Sequence, residues 1–135
     1  MIPFRHDDLD GQDQETYLSQ FEDLIRDCDF VLLNTSWSQK WGTPEYFKNY
    51  PALDIKGARY LTGFHLSGIG LDAISIDMEE NKEYEVHHEV LANEMVIIEN
   101  LCHLDQIRAQ TFKFTAFPLH ITDADGSPVR AVVEY

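Results

Sequence analysis

The hexapeptide FVLLNT, residues 30–35, narrows the fold more than any other stretch. A strand with one wet face alternates apolar and polar residues, whereas an unbroken apolar run this short is buried on both faces, as in a parallel sheet covered by helices. The flanking segments supply such helices. From Asp13, residues Tyr17, Leu18, Phe21, Leu24 and Ile25 recur at helical spacing, predicting one amphipathic helix that ends near Asp27. Asp54 is placed to cap a helix through IKGARYLT, with Gly63 as its stop. LSGIGLDAISID (66–77) reads as a strand running into a loop with two carboxylates, Asp72 and Asp77. A short helix over about 84–93, a strand MVII (95–98) and a turn at ENLCHLD follow. TFKFTAFPLHI, the turn DADGSP and VRAVVEY predict a C-terminal hairpin with Phe112, Phe114 and Ala116 on one face. The fold class is therefore α/β, a mixed sheet with an antiparallel C-terminal hairpin.

With 135 residues and 44% hydrophobic content, the chain suits one domain spanning 1–135, opened by an acidic loop at 6–15 with little to bury. A net charge of −14 repels nucleic acid and anionic membranes, so neither is expected as a partner. No leader-like apolar segment and no run of about 18 apolar residues is visible, and the chain is read as soluble and cytoplasmic. Cys28 and Cys102 have no CxxC spacing and are expected as buried thiols.

Residues 36–51 gather Trp37, Trp41, Tyr46, Phe47 and Tyr50 among turn residues, either capping the core or lining a pocket. His87 and Glu99 stand twelve apart on either side of an apolar run. If the strand doubles back along the helix the two meet, and imidazole with carboxylate suits zinc or manganese. Alternatively, His87 and His88 open an exposed helix and Glu99 caps the next turn. His6, His65, His103 and His120 are scattered, and no pair has HExxH spacing. Asp72 and Asp77 either cap turns or orient a histidine.

Four stretches in order, VLLNTSWSQKWG (31–42), GIGLDAISID (68–77), HHEVLANEMVIIENL (87–101) and PLHITDADGSPVRAV (118–132), make residues 29–135 resemble the C-terminal half of the cyclase family of metal-dependent hydrolases, which includes bacterial kynurenine formamidase. The resemblance implies a swivelling β/β/α fold and hydrolysis of linear amides, such as N-formylkynurenine, with bound zinc or manganese. It makes His87 and Glu99 metal-ligand positions, leaves the catalytic residues unassigned, and lets Trp37, Trp41, Tyr46 and Phe47 face an aromatic amide substrate. The family's HxGTHxDxPxH motif, source of most metal ligands, is absent from this string. The expectation is thus a single truncated cyclase-like domain: an arylformamidase-type hydrolase by kinship that binds little or no metal by itself. The alternative is an inactive remnant serving as an oligomerising or small-molecule-binding module. A homo-oligomer is expected in either case, because half a shared sheet exposes strand edges.

Overall fold

The computed structural model describes residues 1–9 and 11–134. Four strands, β1 (Ile2–Pro3), β2 (Phe30–Asn34), β3 (Gly68–Leu71) and β4 (Val96–Ile98), form an all-parallel sheet in the order β1-β2-β3-β4. Phe30 pairs with Gly68, and Gly68 with Val96, so the central register runs straight across the sheet. Helices α1 (Gln14–Ser19), α2 (Glu22–Arg26), α3 (Ile55–Thr62) and α4 (Glu85–Ala92) make the crossovers. Strands β5 (Lys113–Pro118) and β6 (Val129–Glu134) form a separate antiparallel hairpin.

The sheet has two apolar faces, as the unbroken run in β2 requires. Val31 and Leu33, with Ile69 and Leu71, pack with Leu18, Ile25, Ala58, Leu61 and Val90 of the four helices in the main core. Leu32, pointing the other way, joins Ile98, Leu101 and Leu104, against which Phe112, Phe114, Ala116 and Ala131 of the hairpin region pack. Helices therefore cover one face and the hairpin covers the other. Gly68 and Gly70 lie on the hairpin side, where Phe30 and Leu32 lean over β3. A Cβ at Gly68 would sit 2.5 Å from the Phe30 ring and 2.6 Å from the Val96 carbonyl oxygen.

Several local expectations change. The single helix over 13–27 is two short ones: Asp13 caps α1, but Phe21 leaves the helical region at φ −108°. The chain closes there through three-residue turns, Gln20 N–H to Tyr17 and Phe21 N–H to Leu18, and Phe21 meets the Tyr17 ring edge-on. The acidic opening is more ordered than its composition suggests, with a 3₁₀ turn at His6–Leu9 and a buried Gln14 that donates to the Ala52 carbonyl and accepts from Asp54 N–H; Asp10 lies outside the described residues. Asp54 caps α3 as expected, accepting from Gly57 N–H at 2.7 Å, and α3 stops at Gly63 in a right-handed conformation. Both cysteines are free, but Cys28 is only half-buried and Cys102 is exposed, so neither is the buried thiol expected. No helix among the described residues is long and apolar enough to cross a membrane.

Candidate functional site

Parallel strands deliver their loops to one end, and the carboxyl edge of this sheet collects the chemistry. Thr35 follows β2, Asp72 to Asp77 follow β3, and Glu99 and Asn100 follow β4. Asp72 is buried and ties the first two loops together, accepting from Thr35 N–H and Oγ1–H at 2.7 Å and from the Ser38 hydroxyl at 3.1 Å.

Asp77 organises the rest. Helix α4 starts from Tyr84, which sits at φ 53° and makes no side-chain cap. Its exposed N–H groups are met instead by Asp77, whose carboxylate accepts from Val86 N–H and His87 N–H at 3.0 Å each, favourable at the positive end of a helix. The same Oδ2 lies 2.6 Å from His87 Nδ1. A carboxylate that accepts from both the backbone and the ring of one residue fixes that ring's orientation, holds the proton on Nδ1 and turns Nε2 outward. Asn81 completes the shell by donating to Oδ1 at 2.7 Å, and the Tyr84 ring stands edge-on to the imidazole at 5.8 Å.

His87 Nε2 points at Glu99 Oε1 across 3.3 Å. The helix-then-strand return expected from spacing thus brings the pair together, although not by the contacts expected. Val90 and Ile98 are core, but Leu91 and Val96 are 55% and 50% exposed. What positions Glu99 is its hydrogen bond from Ile76 N–H at 2.8 Å, across the neighbouring loop. Burial pushes the Glu99 carboxyl above the ordinary carboxylate range; the Ile76 N–H and His87 pull it back, and the Asp77 carboxylate adds to the rise.

Beside this pair lies the aromatic loop. Tyr46 is only 1% exposed and donates from its hydroxyl to Asn100 Oδ1 at 2.7 Å, one residue beyond Glu99. Its phenol is pushed up to about 12, first by burial and then by the carboxylates of Asp72 and Glu99. Trp37 donates from its indole N–H to the Tyr46 carbonyl. Trp41 and Phe47 stand edge-on to the Tyr46 ring at 5.1 and 5.5 Å, yet are 68% and 58% exposed. The four aromatic candidates are therefore one cluster, with Tyr46 and Trp37 as its inner part and Trp41 and Phe47 open to solvent. A cavity of about 240 Å³ runs up to the flank of the site at Tyr50 and Glu79, with His6 and Met78 in its wall.

Asp77, Asn81 and Asn100 were not singled out together from the sequence. Capping and histidine orientation stood as alternatives for Asp77, and one carboxylate does both. The signal was present only in retrospect: a helix whose N-terminal residue is Tyr84 has no cap of its own and needs one from elsewhere.

Could a divalent cation sit between His87 and Glu99? Two bonds of about 2.1 Å meeting at a tetrahedral angle leave their donor atoms roughly 3.4 Å apart, and the observed separation is 3.3 Å. The pair fits two corners of such a centre. Among the described residues, no group of three or more His, Cys, Asp and Glu side chains is arranged to hold a metal.

Residues 5–78 match the Cyclase family model. A protein of Methanocaldococcus jannaschii, itself uncharacterised, is 32% identical over 133 residues, which is 97% of this chain and 68% of that protein. Kynurenine formamidase of Bacillus cereus is 38% identical over 103 residues, 76% of this chain and 48% of the enzyme. Among solved structures, an isatin hydrolase bound to the product analogue thioisatinate superposes with a TM-score of 0.81 at 21% identity, covering 98% of this chain and 57% of that one. A predicted metal-dependent hydrolase from Bacillus stearothermophilus gives a TM-score of 0.75 at 24% identity, over 88% and 55% of the two chains. The chain spans about half the length of the formamidase and of the solved structures it matches.

Proposed function

Because the chain belongs to the cyclase family, we propose that it carries the His–Glu half of a metal-dependent hydrolase site acting on linear amides or formamides of the N-formylkynurenine type. The observation behind this is the facing of His87 Nε2 and Glu99 Oε1 at 3.3 Å while Asp77 holds Nδ1. With the ring proton on Nδ1, two electron-rich atoms are aimed at each other, an arrangement that calls for a proton or a cation between them. Zinc or manganese bound there would polarise a carbonyl and activate water. The chain's own contribution is to orient the imidazole through Asp77, to hold Glu99 through Ile76 N–H, and to offer an aromatic wall at Trp37, Trp41, Tyr46 and Phe47.

Two donors do not make an open catalytic centre, which uses three protein ligands and leaves one position for water. That count favours a second reading of the 135 residues taken alone: a module that keeps the geometry and lacks turnover. One experiment separates the two. N-formylkynurenine hydrolysis is followed with zinc or manganese, first with the chain alone and then with the N-terminal half of a relative, bearing HxGTHxDxPxH, supplied in trans. Little or no turnover is expected from the chain alone. Turnover in the mixture, abolished by a chelator and by His87→Ala or Glu99→Gln, supports the hydrolase reading; an active mixture indifferent to both substitutions rejects it.

A further inference from the structure

We propose that Asp72 is a positioning residue: through one closed circuit of hydrogen bonds it holds Trp37 and Tyr46 in a set place beside His87 and Glu99, and so governs how the aryl part of an aryl formamide is seated. The substrate class rests on the hydrolase reading above; the circuit itself does not.

The circuit joins the loops after β2, β3 and β4. Asp72 Oδ1 accepts from the Thr35 N–H and from the Thr35 hydroxyl, each at 2.7 Å. Thr35 Oγ1 accepts in turn from Trp37 N–H at 3.1 Å, and the Trp37 indole N–H donates to the Tyr46 carbonyl at 2.9 Å. The Tyr46 hydroxyl donates to Asn100 Oδ1 at 2.7 Å, and Asn100 N–H donates to the Ala73 carbonyl at 2.9 Å, next to Asp72 where the circuit began. Thr35, Asp72 and Tyr46 are buried, and every partner belongs to this chain, so the circuit does not depend on what the chain's surface meets.

The charge of Asp72 gives these bonds their direction. A carboxylate only accepts, whereas a hydroxyl or an amide also donates. The Thr35 hydroxyl must therefore give its proton to Oδ1, which leaves its lone pairs for Trp37 N–H. Oδ2 takes the Ser38 hydroxyl at 3.1 Å. Among the described residues Asp72 has no ion-pair partner, so these donors are what compensates the buried charge. Between Thr35 and Trp37, Ser36 is held at φ 60°, a left-handed conformation uncommon for serine. The loop thus takes a shape its own sequence does not favour, imposed by the bonds on either side. Tyr46 carries the effect outward, because Trp41 and Phe47 stand edge-on to its ring, and inward, because Asn100 directly follows Glu99. One carboxylate that touches no substrate fixes the aromatic wall against the His87–Glu99 pair.

NMR of the full chain with nitrogen-labelled tryptophan tests this, with N-formylkynurenine as the aryl probe and N-formylalanine as its aliphatic counterpart. In the wild type the aryl probe is expected to shift the Trp37 indole resonance and the aliphatic one to leave it in place. Thr35→Val keeps the shape and removes the hydroxyl; Asp72→Asn puts an N–H where only donors lie. Each should speed exchange of the Trp37 indole proton with water and weaken binding of the aryl probe, roughly tenfold, the equivalent of one charge-assisted hydrogen bond. Thr35→Ser, which keeps the hydroxyl, should restore both, and amide exchange in β2 and β3 should stay at wild-type rates throughout. A wild-type Trp37 indole that N-formylkynurenine leaves unshifted, equal losses in Thr35→Val and Thr35→Ser, weaker binding without faster indole exchange, or faster exchange across β2 and β3 in both Thr35→Val and Asp72→Asn would each overturn the proposal. A wild type that binds the aryl probe but does not hydrolyse it when metal and the N-terminal half are supplied would reject the hydrolase reading alone.

Discussion

At the scale of single residues, the site is governed by one buried carboxylate with two duties. Asp77 caps α4 and orients His87, so Asp77→Asn keeps the size but weakens every charge-assisted bond and presents an amide N–H where an acceptor is needed. A loss of about 1–3 kcal/mol is expected from urea unfolding, with nitrogen NMR of His87 showing a mixture of ring tautomers in place of the Nδ1–H form. A variant as stable as wild type, with the same tautomer, would refute this account of Asp77. Glu99 gives a pH test. Its pKa in the folded protein is raised above the ordinary 4.5 by burial. A group of this kind favours folding below its unfolded pKa, and that contribution is lost as pH rises through the folded value. Glu99→Gln, which stays neutral, should therefore gain stability over wild type between pH 4.5 and 7.5 in the presence of a chelator. Urea midpoints at the two pH values measure it, and a difference that shrinks with rising pH would contradict the burial argument.

At the scale of elements, β3 shows why an apolar strand here contains two glycines. Phe30 and Leu32 of β2 fill the space above Gly68 and Gly70, which lets the hairpin close on a smooth surface. An added methyl must displace something at both positions, but not the same thing. At Gly68 it meets the Val96 carbonyl oxygen at 2.6 Å, fixed in the sheet, as well as the Phe30 ring. At Gly70 it meets Leu32 Cδ2 at 2.6 Å and Leu101 Cδ1 at 2.9 Å, both ends of flexible side chains. Gly68→Ala should cost about 1–3 kcal/mol, the usual range for overpacking, and Gly70→Ala measurably less. Equal or reversed losses in denaturant midpoint would show that the backbone at Val96 yields more easily than the side chains do. The same strand illustrates what local pattern can reveal. Its position, the cap of α3 at Asp54 and the hairpin face with Phe112, Phe114 and Ala116 follow from spacing and turn residues. The break at Phe21 does not, because helical periodicity persists across it while the backbone tightens into three-residue turns at Gln20 and Phe21 that the pattern does not mark.

At the scale of the whole molecule, a charge of −14 on 135 residues sets the solution behaviour. Self-repulsion opposes the compact state, and the Debye length falls from about 30 Å at 0.01 M to about 8 Å at 0.15 M ionic strength. The thermal midpoint should rise over that interval, as followed by circular dichroism, and a flat or falling midpoint would mean that local ion pairs outweigh the net charge. Composition alone determined this term, and the order of residues determined the α/β class: β2 has to be covered twice, and helices and a hairpin were there to cover it. Family kinship was legible in four short stretches, and so was the meeting of His87 with Glu99, since a helix followed by a returning strand leaves little freedom in where the two ends lie. Tertiary structure alone decided that Asp77 caps and orients in one act, that Ile76 N–H rather than Leu91 or Val96 positions Glu99, and that Tyr46 is buried while Trp41 and Phe47 are not. The physical reason is common to all three. Periodicity and propensity act between near neighbours in the chain, whereas Asp77 and His87 meet across a ten-residue span of one crossover, and Ile76 with Glu99, like Tyr46 with Asn100, come from different connections that the parallel sheet brings to one edge.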